Sequence, residues 1–205
     1  AISHDGKKLV MGVNREENQD FSFYEPMLLI DIETKKESVI IEEDGHFGGA
    51  TFSSDDQYIA FGGMLHTFKN ATHAEVYVYE VSTGKLQILT EGIDAPVGDY
   101  AGADIQQGAN APDVVWTNQN HLYFQLSTMG DVRLYFASLD GEIYPASPEN
   151  EHVYGYDIAR NGTYALATIS NTIFPGELFK LNLATGERIT ITNFNEELIN
   201  EVELV

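Results

Sequence analysis

The sequence predicts an all-β fold of about four four-stranded antiparallel propeller blades, a partial propeller. Two repeats and a composition predict it. A tight hairpin pattern recurs four times, a longer alternating strand follows each hairpin, and the chain is rich in strand and turn residues. Tyr and Phe number 11 each and Gly 18 in 205 residues, a balance that favours strands punctuated by turns. The length suffices for a sizeable core and favours one domain.

The hairpins come first in each repeat. Ile2-Ser-His-Asp-Gly-Lys-Lys-Leu-Val-Met11 and Phe52-Ser-Ser-Asp-Asp-Gln-Tyr-Ile-Ala-Phe61 share an apolar anchor, a polar turn and an alternating strand. Trp116-Thr-Asn-Gln-Asn-His-Leu-Tyr-Phe124 and Ile158-Ala-Arg-Asn-Gly-Thr-Tyr-Ala-Leu166 repeat the pattern slightly shortened. Asp5-Gly6, Asp55-Asp56, Asn118 to Asn120 and Asn161-Gly162 supply the positive φ or side-chain capping that such turns need. Trp116 takes the slot of Phe52, so a place in the blade core is expected for it.

A third strand follows each hairpin at Met27 to Thr34, Val76 to Gly84, Leu134 to Gly141 and Leu178 to Gly186. A short fourth strand follows each of those, at Ser38 to Ile41, Leu86 to Leu89, Glu142 to Tyr144 and Arg188 to Ile191. Strands grouped in fours match propeller blades better than sandwiches. The blades then span approximately 1–46, 47–91, 92–148 and 149–192, with a tail over 193–205. In that tail, Asn195-Glu-Glu-Leu-Ile-Asn-Glu reads as a short helix with Asn193 or Asn195 as N-cap and acids in its first turn.

Inserted sequence marks where function would sit. Arg15 to Pro26, Met64 to Ala74 and a smaller segment, Asn171 to Gly176, join second strands to third; Gly92 to Pro112 joins blade two to blade three. In a four-stranded antiparallel blade these connections share one face with the exit of the tail, and the tight turns occupy the other. Both ends are expected to be cuts in a longer polypeptide, since the first blade lacks most of its first strand. Blade edges left open would also allow pairing with a second copy.

The pattern Phe-Ser-x-Asp-x-x-x-Ile-Ala-Phe at Phe52 to Phe61, with Thr83-Gly84-Lys85 after the next strand, resembles the blades of the prolyl oligopeptidase family, in its acylaminoacyl-peptidase-like branch. The tail Thr192-Asn-Phe-Asn-Glu-Glu-Leu-Ile-Asn-Glu-Val-Glu-Leu204 is similar to the segment that leads from the last blade of that family into an α/β-hydrolase domain. The resemblance implies a serine peptidase whose Ser, Asp and His lie in that other domain, with the propeller restricting access to short peptides. No Gly-x-Ser-x-Gly elbow occurs in this chain, so none of the triad carries over and no catalytic residue is assigned. The blade pattern is shared with TolB-like propellers, which leaves a free-standing propeller that binds a protein or peptide as the alternative.

Lys and Arg total 11 against 32 Asp and Glu, a net charge of −21. Such a field repels phosphates, which excludes nucleic acid and anionic membrane as partners and favours cationic ligands or a peptide amino end. On the elaborated face, Glu16, Glu17, Asp20, Glu25, Asp94, Asp99, Tyr100 and Asp104 are expected to line the approach of such a substrate. The six histidines fall in no metal-binding spacing, and no metal or cofactor is expected; His66 and His73 share an inserted loop and read as surface residues. The absence of cysteine leaves the redox compartment undetermined, and with no leader pattern at Ala1-Ile2-Ser3-His4 a cytoplasmic location is the default expectation.

Overall fold

The structure is a computed structural model that describes residues 1–22, 24–102 and 111–202. The chain falls into two compact units, Ala1–Val97 and Gly98–Val205. Repeat architectures divide in this way because each repeat packs mainly on its neighbour. No helix of the described residues is long and apolar enough to cross a membrane.

The first unit holds two antiparallel sheets. Blade one comprises β1 (Lys8–Gly12), β2 (Met27–Asp31) and β3 (Glu37–Ile41). A stub of a first strand lies beside it: Ile2 bridges Leu9, and Ala1 and Val10 exchange backbone bonds of 2.8 and 2.9 Å. Blade two is the full set β4 (Gly45–Phe52), β5 (Tyr58–Leu65), β6 (Glu75–Glu80) and β7 (Lys85–Ile88). Val10, Met27, Leu29 and Ile40 of blade one pack with Phe47, Phe52, Ile59, Phe61, Tyr77 and Tyr79 of blade two. Phe61 and Tyr77 stack at 5.2 Å, and Phe47 meets both edge-on. Each buried side chain of this size contributes roughly 1.5–3 kcal/mol.

The second unit contains β8 (Val115–Trp116), β9 (Leu122–Thr128), β10 (Asp131–Ala137) and β11 (Ile143–Pro145), then β12 (His152–Ile158), β13 (Tyr164–Asn171), β14 (Phe174–Asn182) and β15 (Arg188–Thr190). The two sets join into one path through a single parallel pair, Val132 with His152. Leu134, Phe136 and Val153 pack with Ile158, Ile169, Phe179 and Leu181 in their shared core.

Local turn chemistry explains why the strands break where they do. Gly6, Asp56, Asn120 and Gly162 occupy the same place in the four hairpins, and all have φ between 57° and 71°. Ser3 and Ser53 each donate to the aspartate two residues on, at 2.7 Å, and each accepts the backbone N–H that reopens the strand, at 2.9 and 3.0 Å. Asp56 does more: its carboxylate accepts the N–H groups of His4 and Asp5 at 2.9 and 3.0 Å, tying the turn of blade one to that of blade two.

Three expectations are corrected. Asn171 to Gly176 is not an inserted loop; β13 and β14 continue to a two-residue turn, with a register shift between Ile169 and Asn171. Asn, Pro and Gly there serve a bulged hairpin, in which the Asn171 side chain accepts the Ile173 N–H at 3.0 Å. Trp116 pairs with Leu122 as Phe52 pairs with Ile59, yet it is only half-buried where Phe52 is buried, because β8 is two residues long. The tail helix α1 (Glu196–Glu201) starts at Asn195, but that side chain does not cap it; it reaches back to Gly176 and Glu177.

Candidate functional site

In the first unit the connection from β1 to β2 carries Glu16, Glu17, Asp20 and Glu25. Glu16 and Glu17 are exposed, Asp20 is exposed in a 3₁₀ turn over Gln19–Phe21, and Glu25 lies half-buried against Gly12. Asn14 shapes the segment, accepting the Glu16 N–H at 3.0 Å and donating to Ser22 O at 2.9 Å. Of the four acids only Glu16 reaches the cleft of about 420 Å³ between this connection and β3, lined also by Arg15, Tyr24, Leu28 and Glu37. Arg15 grips Glu37 there through two bonds of 3.0 and 2.8 Å and holds that carboxyl below its usual range, so a cation already occupies the wall of this cleft.

Asp94 is fully exposed, 3.9 Å from His73 Nδ1. His66 pairs with Asp44 at 2.8 Å. His73 also lines a pocket of about 360 Å³, walled by Leu65, Phe68, Ala71 and Ile88, that contains Glu75 and Tyr77. Burial raises the Glu75 carboxyl, and it pushes the Tyr77 hydroxyl up to about 12 with help from Glu75 and Glu43. Neither residue stands out in a search for motifs. The signal that finds them is the repeat itself, since Glu75-Val-Tyr77 of β6 matches Glu177-Leu-Phe179 of β14.

In the second unit the structure brings Asp99 and Tyr100 to one place. Gly98 N–H binds Gln125 O at 2.9 Å, and Ser127 accepts the Tyr100 N–H and donates to Gly98 O, both at 2.8 Å. Asp99 Oδ2 then meets His152 Nε2 at 2.5 Å, with both side chains largely covered. His152 lines a cleft of about 510 Å³ together with Ala101, Asp131, Glu151, Ser170 and Phe174. Glu151 is buried and ion-paired to Arg188, and its Oε2 has no partner among the described residues. The Ser127 hydroxyl is committed to backbone on both sides, which suits a binding surface more than a nucleophile. Asp104 lies outside the described residues. Among those residues no group of three or more His, Asp or Glu is placed to hold a metal ion.

No protein-family model matches the chain. Over 135 residues, 65% of this chain and 20% of the relative, it is 27% identical to the uncharacterized peptidase YuxL of Bacillus subtilis (strain 168). The chain thus spans about a fifth of the length of that relative. Among solved structures it is similar to the acylaminoacyl peptidase of Pyrococcus horikoshii, with a TM-score of 0.67 at 20% identity over 97% of this chain and 28% of that one. It is also similar to the β-propeller domain of the Trilobed protease from Pyrococcus furiosus, with a TM-score of 0.64 at 20% identity over 93% of this chain and 51% of that one. The fold is that of β-propeller blades, and the chain resembles the propeller portion of peptidases of the prolyl oligopeptidase family.

Proposed function

We propose that the chain is the non-catalytic propeller part of a serine peptidase, gating the access of short peptides to an α/β-hydrolase domain outside this sequence. The observation that carries the reading is the match to a peptidase over 65% of this chain, made by strands and turns that contain no nucleophile elbow. Gating is steric and electrostatic. Elaborated connections such as 13–26 and 66–74 narrow the approach, and a surface of net charge −21 draws in a peptide with a free amino end. In this reading Glu16, Glu17, Asp20, Glu25 and Asp94 of the first unit, and separately Asp99, Tyr100 and Asp104 of the second, are the residues that steer the peptide. The edge strands β3, β7, β11 and β15 are the surfaces through which a second copy would pair.

The test compares this chain, the full gene product and a nucleophile-Ser→Ala form of that product on acetyl-amino-acid and short-peptide chromogenic substrates. Activity in the full product, absent from the Ala form and from this chain, supports the gate. An inactive full product sinks it and turns the reading to a free-standing TolB-like propeller that binds a protein or peptide.

A further inference from the structure

Blades two and four build the same corner, and only one of them completes it. In blade four Thr192 accepts the Leu178 N–H at 2.9 Å and donates to one oxygen of Glu177. The other oxygen, Oε1, receives two donors from the tail: the Asn195 N–H at 2.8 Å and Asn195 Nδ2 at 2.9 Å. Burial alone would raise this carboxyl, but these bonds outweigh it and hold it below the usual range.

In blade two Thr90 accepts the Val76 N–H at 3.0 Å and donates to Glu75 Oε2 in the same way. Three residues after Thr90, however, stands Ile93 where Thr192 is followed by Asn195, and the Ile93 N–H is spent on Thr90 O at 3.0 Å. Glu75 Oε1 therefore makes no protein hydrogen bond among the described residues, and its shift is upward, as expected for a half-covered carboxylate short of donors. The side chain lines the 360 Å³ pocket, a size within the range of small-molecule sites. The wall beside it is apolar at Leu65, Phe68, Ala71 and Ile88, with Phe68 72% exposed at the rim, and polar at Thr67, Thr72, Tyr77 and His73, whose charge when protonated would favour the carboxylate.

We propose that this pocket binds a primary ammonium group carried on an apolar or aromatic body. The ammonium, which has three donors and no acceptor, replaces the missing Asn195-type donors on Glu75 Oε1 and reaches Tyr77; the body lies among Leu65, Phe68, Ala71 and Ile88. A neutral molecule of the same shape leaves the carboxylate unpaired and loses the main reason to enter. The proposal needs no hydrolase domain, so it stands or falls apart from the gating reading.

The experiment is calorimetric titration of the full chain with phenethylammonium chloride and, separately, with 2-phenylethanol, on the wild type, Glu75→Gln and Ala71→Trp. Gln keeps an acceptor for Thr90, and Ala71 is an exposed wall position, so circular dichroism is expected to show both variants folded. Saturable binding of the ammonium, weakened at least tenfold in each variant and at least tenfold weaker for the alcohol, supports the site. Failure of the wild type to bind, equal binding of the alcohol, or binding untouched by either substitution overturns it. Should Glu75→Gln not fold, Ala71→Trp alone decides.

Discussion

Removing the Asp56 carboxylate should loosen the first unit by an amount the structure allows to be worked out. The group accepts the N–H groups of His4 and Asp5 at 2.9 and 3.0 Å, and the His4 ring lies 2.8 Å from the same carboxylate. A hydrogen bond to a charged group contributes about 1.5–3 kcal/mol, and the exposed ring bond adds little, so with partial screening the loss is about 2 kcal/mol. Asp56 has φ of 58°, so Asp56→Gly removes the carboxylate while relieving part of the positive-φ cost, and its net loss is about 1–2 kcal/mol. Asp56→Ala should cost about 1 kcal/mol more, because Ala is strained there. Burial raises the Asp56 carboxyl, but the bonds from His4 and Asp5 outweigh it and the net shift is downward. A depressed folded pKa contributes stability above the unfolded value, near 4, that is lost as pH falls through the folded value. Urea unfolding followed by far-UV circular dichroism at pH 7 and pH 3 measures both effects. A Gly variant within about 0.5 kcal/mol of wild type at pH 7, or one whose full deficit persists at pH 3, would refute the reasoning.

Three further outcomes follow from the same geometry. Lys35 has φ of 58° where the equivalent turns carry Gly84 and Gly186, so Lys35→Gly should raise stability by about 0.5–1 kcal/mol, read as an increase in Tm. A Cβ at Gly63 would lie 2.4 Å from Phe47 Cδ1 and 2.7 Å from His46 O; Gly63→Ala is therefore expected to cost about 2–4 kcal/mol in chemical denaturation. Asn195→Ala strips the side-chain donor from Glu177 Oε1 and keeps the backbone N–H, so the Glu177 pKa should rise in an NMR titration. That destabilisation, about 1–2 kcal/mol at pH 7, should fade as pH falls through the folded Glu177 value, because the wild-type carboxyl is depressed and loses its advantage on protonation.

The hairpins, their turns and the all-β blade pattern were legible in the sequence because they rest on short-range chemistry. Asp5-Gly6 and Asn161-Gly162 announce positive φ within a few residues, and a period of two announces a strand. The same local logic misread Asn171 to Gly176, where loop-like residues serve a bulge inside a continuing hairpin, and it overstated the burial of Trp116, whose strand is too short to cover it. The acids show the limit more sharply. Asp99 finds His152 across 53 positions of sequence, and nothing near either residue marks the other. Glu75 and Glu177 look alike in the sequence, and so do their threonines. One carboxylate is completed by Asn195 and the other opens onto a pocket. Which acids are satisfied and which remain available depends on side chains that only packing brings together, so it was decided by the tertiary structure, whereas the repeat of strands and turns was already determined by each residue and its nearest neighbours.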